Sequence, residues 1–542
     1  MTQPGSDPTS DPTAPPAPVG PRRQARALGG TVGSGLSWLM VATLAVKAFS
    51  VVNIAVLGVL LSKEDFGIFA TAIGVAALVN VLRDGGVRRI LVQKGSSRYA
   101  GLIGPVYAMT VLLNLLAAVA LIALGPAMAW FHHDQRFVAV MGTLGLAAAF
   151  YGPGMIYRAK LSMDFRYKAV AGLNAAAALV HYASMIALAY FGAGPLTFTV
   201  SLVIVALFEW GLGMVLTRDP LLRIRLRLRL WPALWARAKW LILSALALAL
   251  LRQGDYLVLG FLLDPRIIGI YAFAYMIAAQ VLGLVAGNLQ QVLMPAMSAF
   301  QHDRTRHARA ALRVSGAIVL VASGLAGGIA VVIDPLQQLI WGGKWTAAVP
   351  AAQALALCFG FRLLVTVQES ALSSTGRFRE QFVAIFLQGI GMVVVAGVAG
   401  ALFPREPGLI AFAIGLYIAI GVSAVAGWGL SRVGVQPVAF FGAIVRPWGV
   451  LTVLALALIT ADMAIQARGL EAWTNHPLLR IAALGPIYAI IALVSVRLLL
   501  APLLRDIVTI VPARLRGPAS RVMLLGKAQN SVANASASST LP

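Results

Sequence analysis

The sequence predicts an all-α integral membrane protein of about fourteen transmembrane helices, built as two pseudo-symmetric six-helix lobes followed by two C-terminal helices. Three observations predict it. Apolar residues make up 59% of the 542 and charged residues 11%, where a soluble domain has roughly half and a quarter. A mean hydropathy of +0.85, held over that length, requires many runs long enough to cross a bilayer. A motif also occurs twice: LGVLLSKEDFGIFA at 57–70 and LGFLLDPRIIGIYA at 259–272 share LG-x-LL, five variable residues and G-I-aromatic-A. Gly58 pairs with Gly260 and Gly67 with Gly269, both at an offset of 202 residues. Internal self-similarity of this kind points to duplication of a unit of roughly 200 residues.

Residues 1–30, rich in Pro, Thr, Ser and Gly with Arg22, Arg23 and Arg26, read as a disordered cytoplasmic tail. They lack the cleavage signature of a signal peptide. The N-lobe, 31–217, holds apolar runs of spanning length at 36–61, 66–82, 101–125, 138–157, 169–192 and 196–217. The segment 218–239 alternates Arg with apolar residues from Arg223 to Arg229, and Trp231, Trp235 and Trp240 follow. It reads as a basic cytoplasmic linker lying at the interface. The C-lobe, 240–430, repeats the pattern at 240–263, 268–297, 313–333, 348–370, 382–402 and 409–430. Helices 13 and 14, expected at 446–465 and 478–500, occupy 431–502, and 503–542 fade into a polar cytoplasmic tail. The offset carries span 1 onto span 7 and span 2 onto span 8. Six spans separate the copies, so both have the same orientation, which predicts a direct repeat about an axis along the membrane normal.

The net charge of +24 reports orientation. Of the 43 Lys and Arg, the expected outer turns hold Lys63, Arg136, Arg266, Lys344, Arg405, Arg468 and Arg480, and three lie inside spans. The rest fall on the opposite side, a strong positive-inside bias that places both termini in the cytoplasm of a multi-pass protein. Anionic inner-leaflet lipid is then the natural partner of this basic face. Nucleic acid is not expected, because no basic patch with interleaved aromatics sits on a soluble module.

Little in the chain suggests covalent chemistry. The single cysteine, Cys358, excludes an intrachain disulfide and a cysteine-based metal cluster. No Walker motif or dinucleotide fingerprint is present, so no cofactor is expected and the chain reads as a non-enzyme. The informative residues are the charges inside spans, each costing roughly 2.5–3.5 kcal/mol on insertion scales. Lys47 lies mid-span, either lining a wet cavity or neutralised by an acid such as Asp255. Arg252 and Asp255 are three apart on one helix face and either pair with each other or serve substrate and coupling ion separately. Asn53 matches Asp255 under the 202 offset. Arg362 falls in span 10, with Glu369 beside Gln368 nearer its inner end, and Glu209 falls in span 6 as a protonation site or an interfacial carboxylate. Lys47, Arg252 and Arg362 are therefore the candidate substrate-binding cations. Asn53, Glu209, Asp255 and Glu369 are the candidate coupling or cavity groups.

Five stretches carry a family resemblance: LLSKEDFGIFATA (60–72), LRDGGVRRILVQKG (82–95), MIYRAKLSMDFRYKAVAG (155–172), GDYLVLGFLLDPRIIGIYAFAYMIA (254–278) and IWGGKWTAAVP (340–350). In their order and spacing they resemble the polysaccharide flippases of the multidrug/oligosaccharidyl-lipid/polysaccharide exporter superfamily, over roughly residues 30–500. Asp255, Gly260, Gly269, Tyr271 and Tyr275 match that family's most characteristic segment. The resemblance implies passage of a polyprenyl-diphosphate-linked oligosaccharide across the bacterial cytoplasmic membrane by alternating access. It also implies work alongside glycosyltransferases and a polysaccharide polymerase. A diphosphate in a bilayer cavity needs cations, since a bare buried anion is prohibitively desolvated. Three other functions share parts of this pattern. A peptidoglycan lipid-precursor flippase has the same plan. A multidrug or cation antiporter would want an acidic or aromatic cavity. A membrane glycosyltransferase could use Glu64 and Asp65 as catalytic acids, but their loop is only about four residues long.

Overall fold

Ser62 and Asp65 start the second helix by capping one another. The Ser62 amide and hydroxyl donate to Asp65 Oδ2 at 2.9 and 2.7 Å, and the Asp65 amide donates back to Ser62 Oγ at 3.1 Å. This is the capping box of an S-x-x-D start. It fixes the short turn at which the chain reverses between its first two spans and gives Asp65 a structural role there.

The structure is a computed structural model and describes residues 46–84, 99–164, 166–218 and 231–499. Both expected tails, the start of span 1, residues 85–98 and most of the basic linker lie outside the described residues. Every regular element among the described residues is a helix. We number them α1 Val46–Leu60, α2 Lys63–Asp84, α3 Tyr99–His132, α4 Arg136–Met163, α5 Tyr167–Tyr190, α6 Leu196–Thr217, α7 Trp231–Leu262, α8 Pro265–Ala299 and α9 Arg304–Trp341. α10 is broken into Val349–Phe359 and Leu363–Ser374 by a 3₁₀ turn at Gly360–Arg362. α11 is Phe378–Leu402, and α12 runs from Pro407 through a π-turn at Ile418–Val422 to Ser431. α13 is Pro437–Ala467, and α14 is Pro477–Leu499. Twelve segments among the described residues are long and apolar enough to cross a membrane. The helices α1 and α8 lie where the first and eighth spans are expected.

The elements differ from expectation mainly at their ends. α9 has 38 residues, about 57 Å at 1.5 Å per residue, well beyond a hydrocarbon core of about 30 Å. Its start is set by Asp303, whose carboxylate accepts from the Thr305 and Arg306 amides at 3.1 and 3.0 Å. The helix therefore begins nine residues before its apolar run. Span 10 is expected as one continuous helix, but α10 tightens at Gly360. There the missing side chain lets it approach Ala322 of α9 to within 3.0 Å of where a Cβ would sit.

The packing repeats itself. α3 packs on α4, α4 on α6 and α5 on α6 in the first half, and the equivalents α9–α10, α10–α12 and α11–α12 pack in the second. The halves meet where α2 crosses α7 and α8, and this junction is reciprocal. A Cβ on Gly67 would run into the Pro265 carbonyl, and one on Gly269 into the Lys63 carbonyl. Lys63 and Pro265 are themselves 202 apart. One on Gly58 would lie 2.9 Å from the Phe273 ring and one on Gly260 2.8 Å from the Thr71 side chain, and these partners are again a 202-residue pair. Such exchange of contacts is what a two-fold relation between direct repeats produces. Of the duplicated glycines, Gly67 and Gly269 are where the two copies touch backbone to backbone, while Gly58 and Gly260 admit side chains. α13 and α14 pack on α9.

Candidate functional site

Between the halves lies a cavity of about 330 Å³. It is lined by α1, α2, α5 and α6 from one side and by α7 and α8 from the other. Three of its lining pairs, Ile54/Tyr256, Ala70/Ala272 and Ile73/Tyr275, are 202-residue equivalents, so the cavity sits about the pseudo-two-fold relation. Phe66, Phe69, Phe198 and Tyr182 supply aromatic wall, and Phe69 stacks on Phe198 with centroids 4.3 Å apart. The polar lining is Ser50, Asn53, His181, Gln253 and Gln280. Ser50 Oγ donates to Gln280 Oε1 at 3.4 Å, and Asn53 Nδ2 to Met185 Sδ at 3.7 Å. No Asp, Glu, Lys or Arg belongs to the described lining.

One end of this cavity is latched. The turn after α9 has Gly342 and Gly343 in the left-handed region (φ 56° and 84°), which glycine adopts without strain. It thereby delivers three donors to the end of α1. Trp341 Nε1 donates to the Ala55 carbonyl and Trp345 Nε1 to the Gly58 carbonyl, each at 2.9 Å. Lys344 Nζ donates to the Val59 and Leu61 carbonyls at 2.9 and 2.6 Å. The last carbonyls of a helix have no partners within it, so the bonds to Gly58, Val59 and Leu61 satisfy them. Ala55, one turn further in, gains a second donor, and the ammonium faces the negative end of the helix dipole. Burial holds the Lys344 ammonium below the ordinary lysine range; Asp65 opposes that shift and Lys63 adds to it. Trp345 is fully buried, stacked on Phe273 at 3.7 Å and edge-on to Phe66 at 5.3 Å. Outside it, Arg266 faces Glu64 at 3.8 Å and Arg136 faces Asp65 at 3.7 Å.

The residues singled out from sequence fall into three groups. Asn53 lines the cavity. Lys47 is half-buried on the same face of α1, one turn beyond Ser50 and away from the latch, against Gly283 of α8, where any side chain would collide with its ammonium. Arg252 is exposed on α7, one turn beyond Tyr256 in the same direction.

A second group lies behind the cavity wall, and in it Asp255 is partnered by groups other than Arg252, which goes against mutual pairing, the first of the two alternatives for that pair. Asp255 is buried and accepts from the Tyr271 hydroxyl at 2.7 Å and the Tyr256 amide at 2.9 Å. Its side chain turns toward α8, away from Arg252. Arg362, expected as a substrate-binding cation, does not belong to the described lining. It donates to the Tyr275 hydroxyl and, at 2.9 Å, to the Leu251 carbonyl, with Tyr256 and Tyr275 standing between this cluster and the cavity.

The third group is remote. Glu209 forms a buried ion pair with Arg158, which also reaches Asn174. Glu369 accepts from Gln381 at 3.5 Å, below the buried Gln388–Gln368 bond. Glu209 is thus outside the described cavity lining, and its buried charge is tolerated because it is paired. Removing one partner of a buried pair costs about 3–5 kcal/mol. Arg158→Ala is therefore expected to lower the thermal transition of the purified protein markedly, and adding Glu209→Gln should recover much of the loss. Glu209→Gln alone should leave activity largely intact if the pair is structural.

Sequence reasoning missed three features. Gln253, His181 and Gln280 carry no charge and do not stand out inside apolar runs, although a Gln or His at mid-span is a readable signal. The latch donors are legible only as the motif W-G-G-K-W. Arg480 reads as an outer-turn charge, yet it is fully buried and paired with both Asp334 and Asp462. Asp462 also accepts from Trp473 and Gln466 at 2.8 Å. This network ties α14 and α13 to α9.

The family model described as polysaccharide biosynthesis protein matches residues 56–350, more than half of the chain. The chain belongs to that family. It is 25% identical over 334 residues to the lipopolysaccharide biosynthesis protein WzxC of Escherichia coli K12, a match covering 59% of this chain and 65% of that protein. It is 21% identical over 451 residues to the teichuronic acid biosynthesis protein TuaB of Bacillus subtilis 168, covering 82% of this chain and 89% of that one. Among solved structures, the lipid II flippase MurJ in an inward closed conformation has the same fold (TM-score 0.63, 12% identity, 84% of this chain and 98% of that one). An inward-facing multidrug resistance MATE transporter follows at a TM-score of 0.50 with 14% identity, covering 73% and 98%. The family member described here is thus a multi-pass membrane protein connected with polysaccharide biosynthesis that shares the fold of those two structures, and the family resemblance read from its motifs holds.

Proposed function

We propose that this family member carries a polyprenyl-diphosphate-linked oligosaccharide from the inner to the outer leaflet of the bacterial cytoplasmic membrane, by rocking its two lobes about the cavity between them. The observation that carries the reading is one axis of features: a latch, then a cavity on the pseudo-two-fold relation, then Lys47 and Arg252 at the end away from the latch. With both termini in the cytoplasm, as the Lys/Arg distribution indicates, the latched end is the outer one. The diphosphate engages Lys47 and Arg252 at the cytoplasmic rim, where a cation meets the anion's need for compensation. Arg362 backs the wall through Tyr275. Asp255, buried beside Arg362, is the group placed to bind a coupling ion or proton.

The names of the two sequence relatives favour a surface-polysaccharide substrate over the peptidoglycan precursor that shares the fold. The aromatic wall is shared with an antiporter of cationic drugs, but the described lining carries no acid and the charged groups at its inner end, Lys47 and Arg252, are cations, which disfavours that reading.

The test is flipping of a fluorescent polyprenyl-diphosphate-linked oligosaccharide in proteoliposomes. Lys47→Ala should slow flipping at least about tenfold and Lys47→Arg should largely retain it, with Arg252→Ala giving a smaller loss. Normal rates in Lys47→Ala and Arg252→Ala alike would overturn the proposal.

A further inference from the structure

We propose that the cavity next to the latch is a subsite for uncharged sugar rings, so that the glycan enters it while the diphosphate stays at the Lys47 rim. The inference rests on the function proposed above and specifies which part of the substrate the cavity takes.

Three buried polar atoms of the lining have no partner: Asn53 Oδ1, Gln253 Oε1 and His181 Nδ1. Buried polar atoms are satisfied in the great majority of cases, so orphans gathered in one cavity mark a place where something else supplies the bonds. Asn53 is 3% exposed, and its amide nitrogen donates to Met185, so the oxygen is the part of that amide left without a partner. Two of the orphans are amide oxygens, acceptors that call for donors, and a sugar ring presents several hydroxyl donors. The apolar faces match as well. Phe69 stacked on Phe198 and the tilted pair Tyr256–Tyr275, 5.2 Å apart, offer flat surface to the C–H face of a ring. The volume of about 330 Å³ is at the small end of ligand sites, which run roughly 300–1,000 Å³.

The same lining rejects charge. A uronate carboxylate would find no cation there, since Arg362 is spent on Tyr275 and Leu251. A lipophilic cation would find no acid. An unpaired charge in such surroundings is strongly disfavoured.

The experiment measures binding to the full-length purified protein with three probes: N,N′-diacetylchitobiose, digalacturonate and farnesyl diphosphate. Diacetylchitobiose should bind at least about tenfold more tightly than digalacturonate. Asn53→Leu and Gln253→Leu should each weaken diacetylchitobiose about tenfold and leave farnesyl diphosphate unchanged, which also shows that the variants are folded. Lys47→Ala should do the reverse. Equal binding of the two disaccharides, or indifference of diacetylchitobiose to both Leu variants, would overturn the subsite. Failure of farnesyl diphosphate to depend on Lys47 would count against the proposed function and leave the subsite standing.

Discussion

Gly269→Val is expected to abolish surface polysaccharide made through this protein, and Gly67→Val to do the same. Each position is a backbone-to-backbone crossing of α2 and α8, where an added Cβ meets a carbonyl oxygen of the other helix. Backbone cannot swing aside as the tip of a side chain can, so the helices must separate by more than an ångström. Overpacking of this kind costs typically about 1–3 kcal/mol, and here the cost falls only on the state in which the two copies are pressed together. The substitution should therefore unbalance the two states more than it unfolds the protein. A cysteine at Met276, on the cavity wall, in a Cys358→Ser background reports this directly. An impermeant maleimide added from outside should label it slowly in the parent and much faster in the Gly269→Val variant. Because Gly67 and Gly269 belong to one crossing, the double variant should be little worse than either single, a non-additivity expected of residues that share a contact. Wild-type labelling with full polysaccharide in Gly269→Val would show that the crossing does not form the closed junction.

Those glycines show why the architecture was readable. The duplication leaves a trace because the two copies touch through it, so the same small residues are required at both. Composition, span positions and the direct repeat follow from hydrophobic length and charge placement, which are one-dimensional quantities. The site was less legible because its chemistry depends on which way a helix face turns. Asn53 and Asp255 are equivalent in the repeat, yet one faces the cavity and the other is buried against Tyr271. Arg252 and Asp255 share a helix face by spacing, but the Asp255 carboxylate is claimed by its neighbour helix. Arg480 reads as a loop charge only until Asp334 and Asp462, 146 and 18 residues away, are brought to it. Partners at such separation have no local signature.

Trp345→Phe should open the latch without emptying the core. Phenylalanine keeps the ring stacked on Phe273 but loses the N–H that the Gly58 carbonyl accepts at 2.9 Å. That carbonyl is then left buried at a helix end with no intrahelical partner, at a cost of about 1–3 kcal/mol. Since about 1.4 kcal/mol is tenfold in an equilibrium, the population open at the outer end should rise about tenfold or more. Lys344→Met should have a smaller effect, because the Val59 carbonyl it serves is near enough to the surface for water to replace the ammonium. Trp341→Phe, which removes only a second donor from the Ala55 carbonyl inside the α1 ladder, should act in the same direction as Trp345→Phe but more weakly. Labelling of the Met276→Cys reporter from outside should accelerate in the order Lys344→Met, Trp345→Phe, then the double variant. The sign also distinguishes a latch from a mere packing residue: a packing loss would lower the thermal transition at unchanged labelling, whereas loss of the latch raises labelling at a nearly unchanged transition. An unaltered labelling rate in Trp345→Phe would mean that the bonds to α1 accompany closure without holding it.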